Sequence, residues 1–192
     1  MPTLTAFIKS LFIATVIGLV GVGLFIYSGF YPIGADVPHN KLSYWLLDTL
    51  RERSIARAAS NIQIPENLNI PDRLLAGGAD YNDMCAGCHL KPGKKDSDFT
   101  IGLYPSPPNL TAESHGHEHG SSSDEHGNED DAAIQRQFWI IKHGIKASGM
   151  PAWGPTHSDE RIWNMVAFLQ RLPTLSADQY QILTARGAPE EH

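Results

Sequence analysis

The apolar positions fall into one long unbroken run at the start of the chain and several shorter, interrupted stretches after it. The first run extends from about Leu4 to Tyr31, broken only by Lys9, Ser10 and small residues. About 20 apolar residues cross a hydrocarbon core as a helix, so this run is long enough to span with some tilt. Secretory signal peptides have a shorter apolar region, ~7–15 residues, and end in a small-x-small site. The late candidate, Ile33-Gly34-Ala35, places a bulky residue where a small one is required. The pattern therefore predicts an uncleaved transmembrane anchor over residues 1–31. A turn-rich exit comes next, Tyr31-Pro32-Ile33-Gly34 through Val37-Pro38.

Helical spacing resumes from Lys41 to about Ile62, where Leu42, Trp45, Leu46, Thr49, Leu50 and Arg53 share a stripe. That helix suits either the membrane interface or the surface of a packed domain or partner, and the pattern leaves both open. Pro65 and Pro71 bracket an extended linker. A helix over Asp72–Met84 is expected to bury Leu74, Leu75, Ala79 and Tyr81. Prolines and glycines make 91–111 a loop. Helices are predicted again over Asp130–His143, with Ile134, Phe138 and Ile141 apolar, and over Asp159–Leu172. The second of these is capped by Ser158 and stopped by Pro173. No segment alternates as a strand would, so the predicted fold is all-α. The predicted organisation is an anchor (1–31), a juxtamembrane helix and linker (32–70), a helical domain (71–176) and a C-terminal tail (177–192).

Charge changes the picture in one place. Of the 21 acidic residues, seven lie within 113–131, which holds no Lys or Arg. Without them the chain is close to neutral against its 15 basic residues, which argues against nucleic-acid binding. The insertion at about 112–131 is rich in His, Gly, Ser and acids and cannot bury a core. His115, His117, His119 and His126 among its carboxylates have the chemistry for weak Cu(II), Ni(II) or Zn(II) binding. A solvated acidic loop explains the same composition.

The chain has two cysteines, and both lie in Cys85-Ala-Gly-Cys88-His89. Two thiols three positions apart followed by an imidazole are the attachment pattern for one covalent haem c, with His89 ligating the iron. A thioredoxin-like pair needs a βαβ setting and has no use for the histidine, and a zinc site needs further ligands. Cys-x-x-Cys-His attachment occurs on the outer face of bacterial inner membranes, so the body is expected in the periplasm. The basic residues after the span, Lys41, Arg51, Arg53 and Arg57, taken literally point the other way, but long domains translocate regardless of charge.

An electron carrier needs a sixth iron ligand. Met84 abuts Cys85 on the wrong side, and Met165 lies in the apolar stripe of the last helix. Met150 sits between two helices in Ser148-Gly149-Met150-Pro151-Ala152-Trp153-Gly154, where proline stiffens the loop and glycine opens it. Its neutral thioether favours ferrous iron. His143, at a helix end, is the rival.

Together these residues resemble a class I c-type cytochrome of the small, membrane-anchored bacterial monohaem kind. The resemblance rests on Gly78-Ala79-Asp80-Tyr81, Cys85-Ala-Gly-Cys88-His89, Pro107-Pro108-Asn109-Leu110, Lys142-His143-Gly144 through Gly149-Met150-Pro151, and Ile162-Trp163-Asn164 through Leu169. It covers roughly residues 70–175 and implies a cytochrome c fold, three to four helices around one covalent haem. It also implies that the first and last helices of that domain cross, with Gly77 and Gly78 admitting Trp163 or Phe168. A loop carbonyl such as that of Pro92 is expected to orient the His89 imidazole. The implied function is one-electron transfer without substrate turnover, between redox proteins at the membrane. Lys142, Lys146 and Trp153 are expected to frame the haem edge. Alternatives are a fixed haem subunit of a larger oxidoreductase, a haem redox or gas sensor, and metal sequestration by the histidine tract.

Overall fold

The computed structural model describes residues 3–112 and 126–185. Every regular element among them is helical, as the hydrophobic pattern requires. The chain forms two compact units, Met1–Val37 and Pro38–His192.

The first unit is built on α1, Leu4–Tyr27, a helix of 24 residues with no buried side chain. At 1.5 Å per residue it is about 36 Å long. That length and apolarity are what a single-pass membrane helix needs. Gly18, Gly21 and Gly23 have nothing within 4 Å of where a side chain would start.

In the second unit, α2 (Lys41–Ala59) starts at Asn40, whose side chain accepts from the Ser43 amide at 2.9 Å. It buries Ile55 and Ala59 and leaves Leu42, Trp45, Leu46 and Leu50 exposed. α6 (His126–His143) is its neighbour. Arg136 on α6 pairs with Glu52 at 2.6 Å, and Gln135 Nε2 donates to the Ile62 carbonyl at 2.8 Å.

The core lies where α3 (Pro71–Asp80) meets α7 (Asp159–Arg171). Pro71 occupies the first turn of α3, where a missing N–H costs nothing. Ser158 caps α7, its hydroxyl accepting from the Arg161 amide. Ile162, Met165, Val166, Ala167 and Phe168 are essentially inaccessible. Each large apolar side chain buried in this way is worth about 1.5–3 kcal/mol. The close approach depends on Gly77, where a Cβ would overlap the Asn164 carbonyl, and on Gly78, which lies under the Phe168 ring. Trp163 instead stacks on Phe138 of α6, ring centroids 4.1 Å apart. Asp80, at the end of α3, is buried and takes a two-pronged bond from Arg161 at 2.6 and 2.8 Å.

Two expectations change. Leu75 is 50% exposed rather than buried, because Gly77 and Gly78 carry the contact with α7. The 91–111 segment contains a short helix, α5 (Asp98–Gly102), nucleated by a capping box between Ser97 and Thr100. A final helix, α8 (Ala177–Thr184), has its own capping box from Ser176 and Gln179. It buries Tyr180 against Tyr81 and Phe168. The hydrophobic pattern did not announce α8.

Candidate haem site

α3 runs into a π-helical turn, Tyr81–Cys85, and then into α4, Ala86–His89. The extra residue in such a turn rotates the next segment by about 100° relative to the preceding helix. Cys85, Cys88 and His89 are related as i, i+3 and i+4, so all three side chains share one face. Cys85 packs against both hydrophobic clusters, and the two cysteines do not form a disulfide with each other. Burial, with the charge of Asp80 adding to it, pushes the Cys85 thiol up to about 12. No βαβ unit surrounds the pair among the described residues, which argues against thioredoxin-like chemistry.

α4 stops at Leu90, which adopts φ 71° and remains buried. A non-glycine residue holds that conformation only when its surroundings impose it. Tyr81 does so here. Its hydroxyl donates to the Leu90 carbonyl at 2.8 Å and reaches the His89 carbonyl at 3.1 Å. The Leu110 amide also donates to the His89 carbonyl. Burial raises the Tyr81 phenol pKa well above its usual range, so it stays a donor.

The imidazole of His89 is set by Pro108, not by Pro92. His89 Nδ1 lies 2.9 Å from the Pro108 carbonyl oxygen. A carbonyl only accepts, so Nδ1 carries the proton and Nε2 keeps its lone pair. Burial lowers the His89 pKa, with the Pro108 bond partly opposing the shift, and the ring is held neutral. Pro92 lies in a separate turn closed by the Lys94 amide on the Lys91 carbonyl.

The Met150 side of the site hangs from the end of α6. Helices end with carbonyls that lack partners. The Trp153 amide donates to the Ile141 carbonyl at 3.1 Å and the Gly154 amide to the Lys142 carbonyl at 2.9 Å. Gly144 comes next with φ 64°, and a Cβ there would lie 2.7–2.8 Å from backbone atoms of Met150, Pro151 and Ala152. The Ile145 amide donates to the Met150 carbonyl, and the Met150 amide to Ser148 Oγ. The backbone amide and carbonyl of Met150 are thus both hydrogen-bonded, the residue is half-buried, and its side chain contacts that of His89.

The other candidates are placed elsewhere. His143 is exposed, with its ring 5.0 Å from Trp139. Met165 is 1% exposed in the core, and Met84 packs against the same cluster. Lys142 is tied to Asp159 at 2.6 Å, Trp153 packs on the core cluster, and Lys146 is exposed. Sequence reasoning did not single out His157. Its Nε2 is buried without a hydrogen-bond partner, and its ring lies against Trp153. His115, His117 and His119 lie outside the described residues, as does the side chain of His126. Among the described residues no group of three or more His, Cys, Asp or Glu could hold a metal ion.

The residues fit a covalent haem. Two thiols share a face with an imidazole whose Nε2 lone pair is available, and a thioether meets that imidazole. The structure and motif together define a c-type cytochrome with a single haem c attachment site. Residues 72–169 match the model of the family "cytochrome c oxidase, cbb3-type, subunit III", and the chain belongs to that family. No curated protein and no solved structure matches the chain.

Proposed function

We propose that this protein is a monohaem c subunit of a larger membrane oxidoreductase, passing single electrons along a respiratory chain. The observation that carries the reading is the meeting of His89 and Met150 beside the Cys85–Cys88 pair. Membership of a family named for an oxidase subunit favours a fixed subunit over a freely diffusing carrier. When bound, the haem supplies a reversible Fe(III)/Fe(II) couple. His89 Nε2 and Met150 Sδ would hold its iron from the protein, which would leave no iron position for a substrate. Pro108 keeps His89 in the tautomer that would ligate iron, and the α6 carbonyls fix the turn from which Met150 would reach it. The buried side chains of α7 exclude water from the interior behind the site. Residues 1–31 anchor the chain in a bacterial inner membrane, and residues 71–176 carry the haem on the periplasmic side.

The test is the visible spectrum of protein matured with covalent haem, oxidised and reduced, beside Met150→Ala. A thioether-to-iron charge-transfer band in the oxidised protein that vanishes in the variant is the expected result. An unchanged low-spin variant would assign the sixth ligand elsewhere. A wild type that binds CO at once when reduced would favour a sensor. Recovery of the solubilised chain in a stable assembly with other membrane subunits is expected; recovery of the chain alone would return the reading to a free carrier.

A further inference from the structure

α2 is apolar on two opposite flanks. One flank faces the body of its own unit, burying Ile55 and Ala59 and leaving Tyr44 and Leu47 half-exposed over a cavity. α2 and the turn leading to Met150 wall this cavity, whose volume is about 580 Å³. The other flank carries Leu42, Trp45 and Leu46, which are 71, 61 and 57% exposed, and Leu50, 65% exposed, lies at its edge and also borders the cavity. Residues 42, 45, 46, 50, 53 and 57 are related by three- and four-residue steps, so Arg53 and Arg57 extend the same flank. Both arginines are exposed, and among the described residues neither forms an ion pair with an acidic side chain. A helix apolar on both flanks requires two apolar environments, and its own unit supplies one of them.

We infer that the second is the membrane itself: α2 lies in the interface of an anionic bilayer, Leu42, Trp45, Leu46 and Leu50 in the acyl boundary and Arg53 and Arg57 on phosphate headgroups. The assignment rests on reading α1 as a membrane anchor. The 13 residues between Tyr27 and Lys41 reach at most about 45 Å, so α2 is always within range of the bilayer that holds α1. The bilayer that holds α1 is therefore available to α2 through the tether alone. The side chains match in kind, with Trp at the headgroup level, leucines below it and arginines beside it. Seating α2 holds the haem domain in one orientation, because Glu52–Arg136 and Gln135–Ile62 fasten α2 to α6, whose end presents Met150.

The test uses the full, haem-loaded chain in vesicles of phosphatidylglycerol and phosphatidylethanolamine. Cys85 and Cys88 are consumed as thioethers, so a spin label on Leu46→Cys or on Asp178→Cys is unique. With the iron reduced, relaxation by oxygen, which partitions into lipid, is compared with relaxation by a water-soluble nickel chelate. The Leu46 label is expected to respond to oxygen and the Asp178 label to nickel. Arg53→Glu with Arg57→Glu should move the Leu46 label towards the nickel response. A Leu46 label as nickel-sensitive as Asp178, in a chain that still resists carbonate extraction, overturns the inference and leaves the anchor intact. Shielding from both agents overturns it in favour of a protein occupant. An unchanged Leu46 response in the double arginine variant overturns the headgroup contact. Extraction of the chain by carbonate overturns the anchor reading, and this inference with it.

Discussion

The two sides of the proposed haem site are built in opposite ways. The histidine side is a local motif, since Cys85, Cys88 and His89 come from five consecutive residues on one helical face. The methionine side is non-local. Met150 is held because a loop donates amides back to the end of α6, and because Gly144 can take a conformation that other residues resist. The histidine side should fail only when the fold around it fails. The methionine side should fail through single backbone positions while the covalent haem stays attached.

The largest expected effect comes from separating α3 and α7, on which the histidine side rests. Gly77→Val forces a side chain into the Asn164 carbonyl, and the two helices must part. We expect a loss of about 3 kcal/mol or more, since overpacking here meets backbone rather than a flexible side chain. Gly102→Ala, which points into open space, should change stability by less than about 0.5 kcal/mol. Thermal unfolding of the two variants measures the contrast; equal midpoints would show that the helix contact is not tight.

Gly144→Ala attacks the other side. The αL conformation costs a non-glycine residue roughly 1–2 kcal/mol, and the added methyl also meets three backbone atoms. The expected outcome is covalent haem in normal amount with a weakened or absent thioether charge-transfer band. Retention of the full band would mean that Met150 is held by something other than this turn.

Tyr81→Phe brings the comparison back to the histidine side at smaller scale. It leaves the Leu90 carbonyl without its partner and releases a strained φ, for about 1–3 kcal/mol. The axial thioether band should survive, because Pro108 still orients His89. Chemical denaturation of the variant gives the first number and its oxidised spectrum the second.

Legibility in the sequence divides along the same line. Cys85, Cys88 and His89 were legible because their chemistry depends on spacing alone. Met150 stood out in the sequence because proline and glycine flank it between two helices, but the bonds that fix its turn join residues far from the motif. The partner of His89 Nδ1 lies 19 residues away, at Pro108 rather than Pro92, because the chain turns at Leu90 in a way no propensity announces. Asp80 with Arg161, 81 residues apart, had no local signal at all. The stripe on α2 was visible, and it proved to be the exposed flank because α6 meets the other side.

The smallest effect concerns the clamp between α2 and α6, the helix whose end leads to Met150. Burial alone would raise the Glu52 pKa, but hydrogen bonds and charge from Arg136 and Arg51 bring it below the ordinary 4.5. A carboxylate with a depressed folded pKa contributes stability above its unfolded pKa and loses it as pH falls through the folded value. Glu52 is 40% exposed, so solvent screening limits the pair to about 0–1 kcal/mol. Stability should therefore fall by no more than that between neutral pH and the region below 4.5, beyond the general acid response. Glu52→Gln should flatten this part of the profile. If α2 steadies the end of α6, acid should weaken the thioether band in the wild type before it disturbs the His89 side. A wild-type profile that matches the variant's at every pH would detach α2 from the haem site and leave the two sides of that site independent of it.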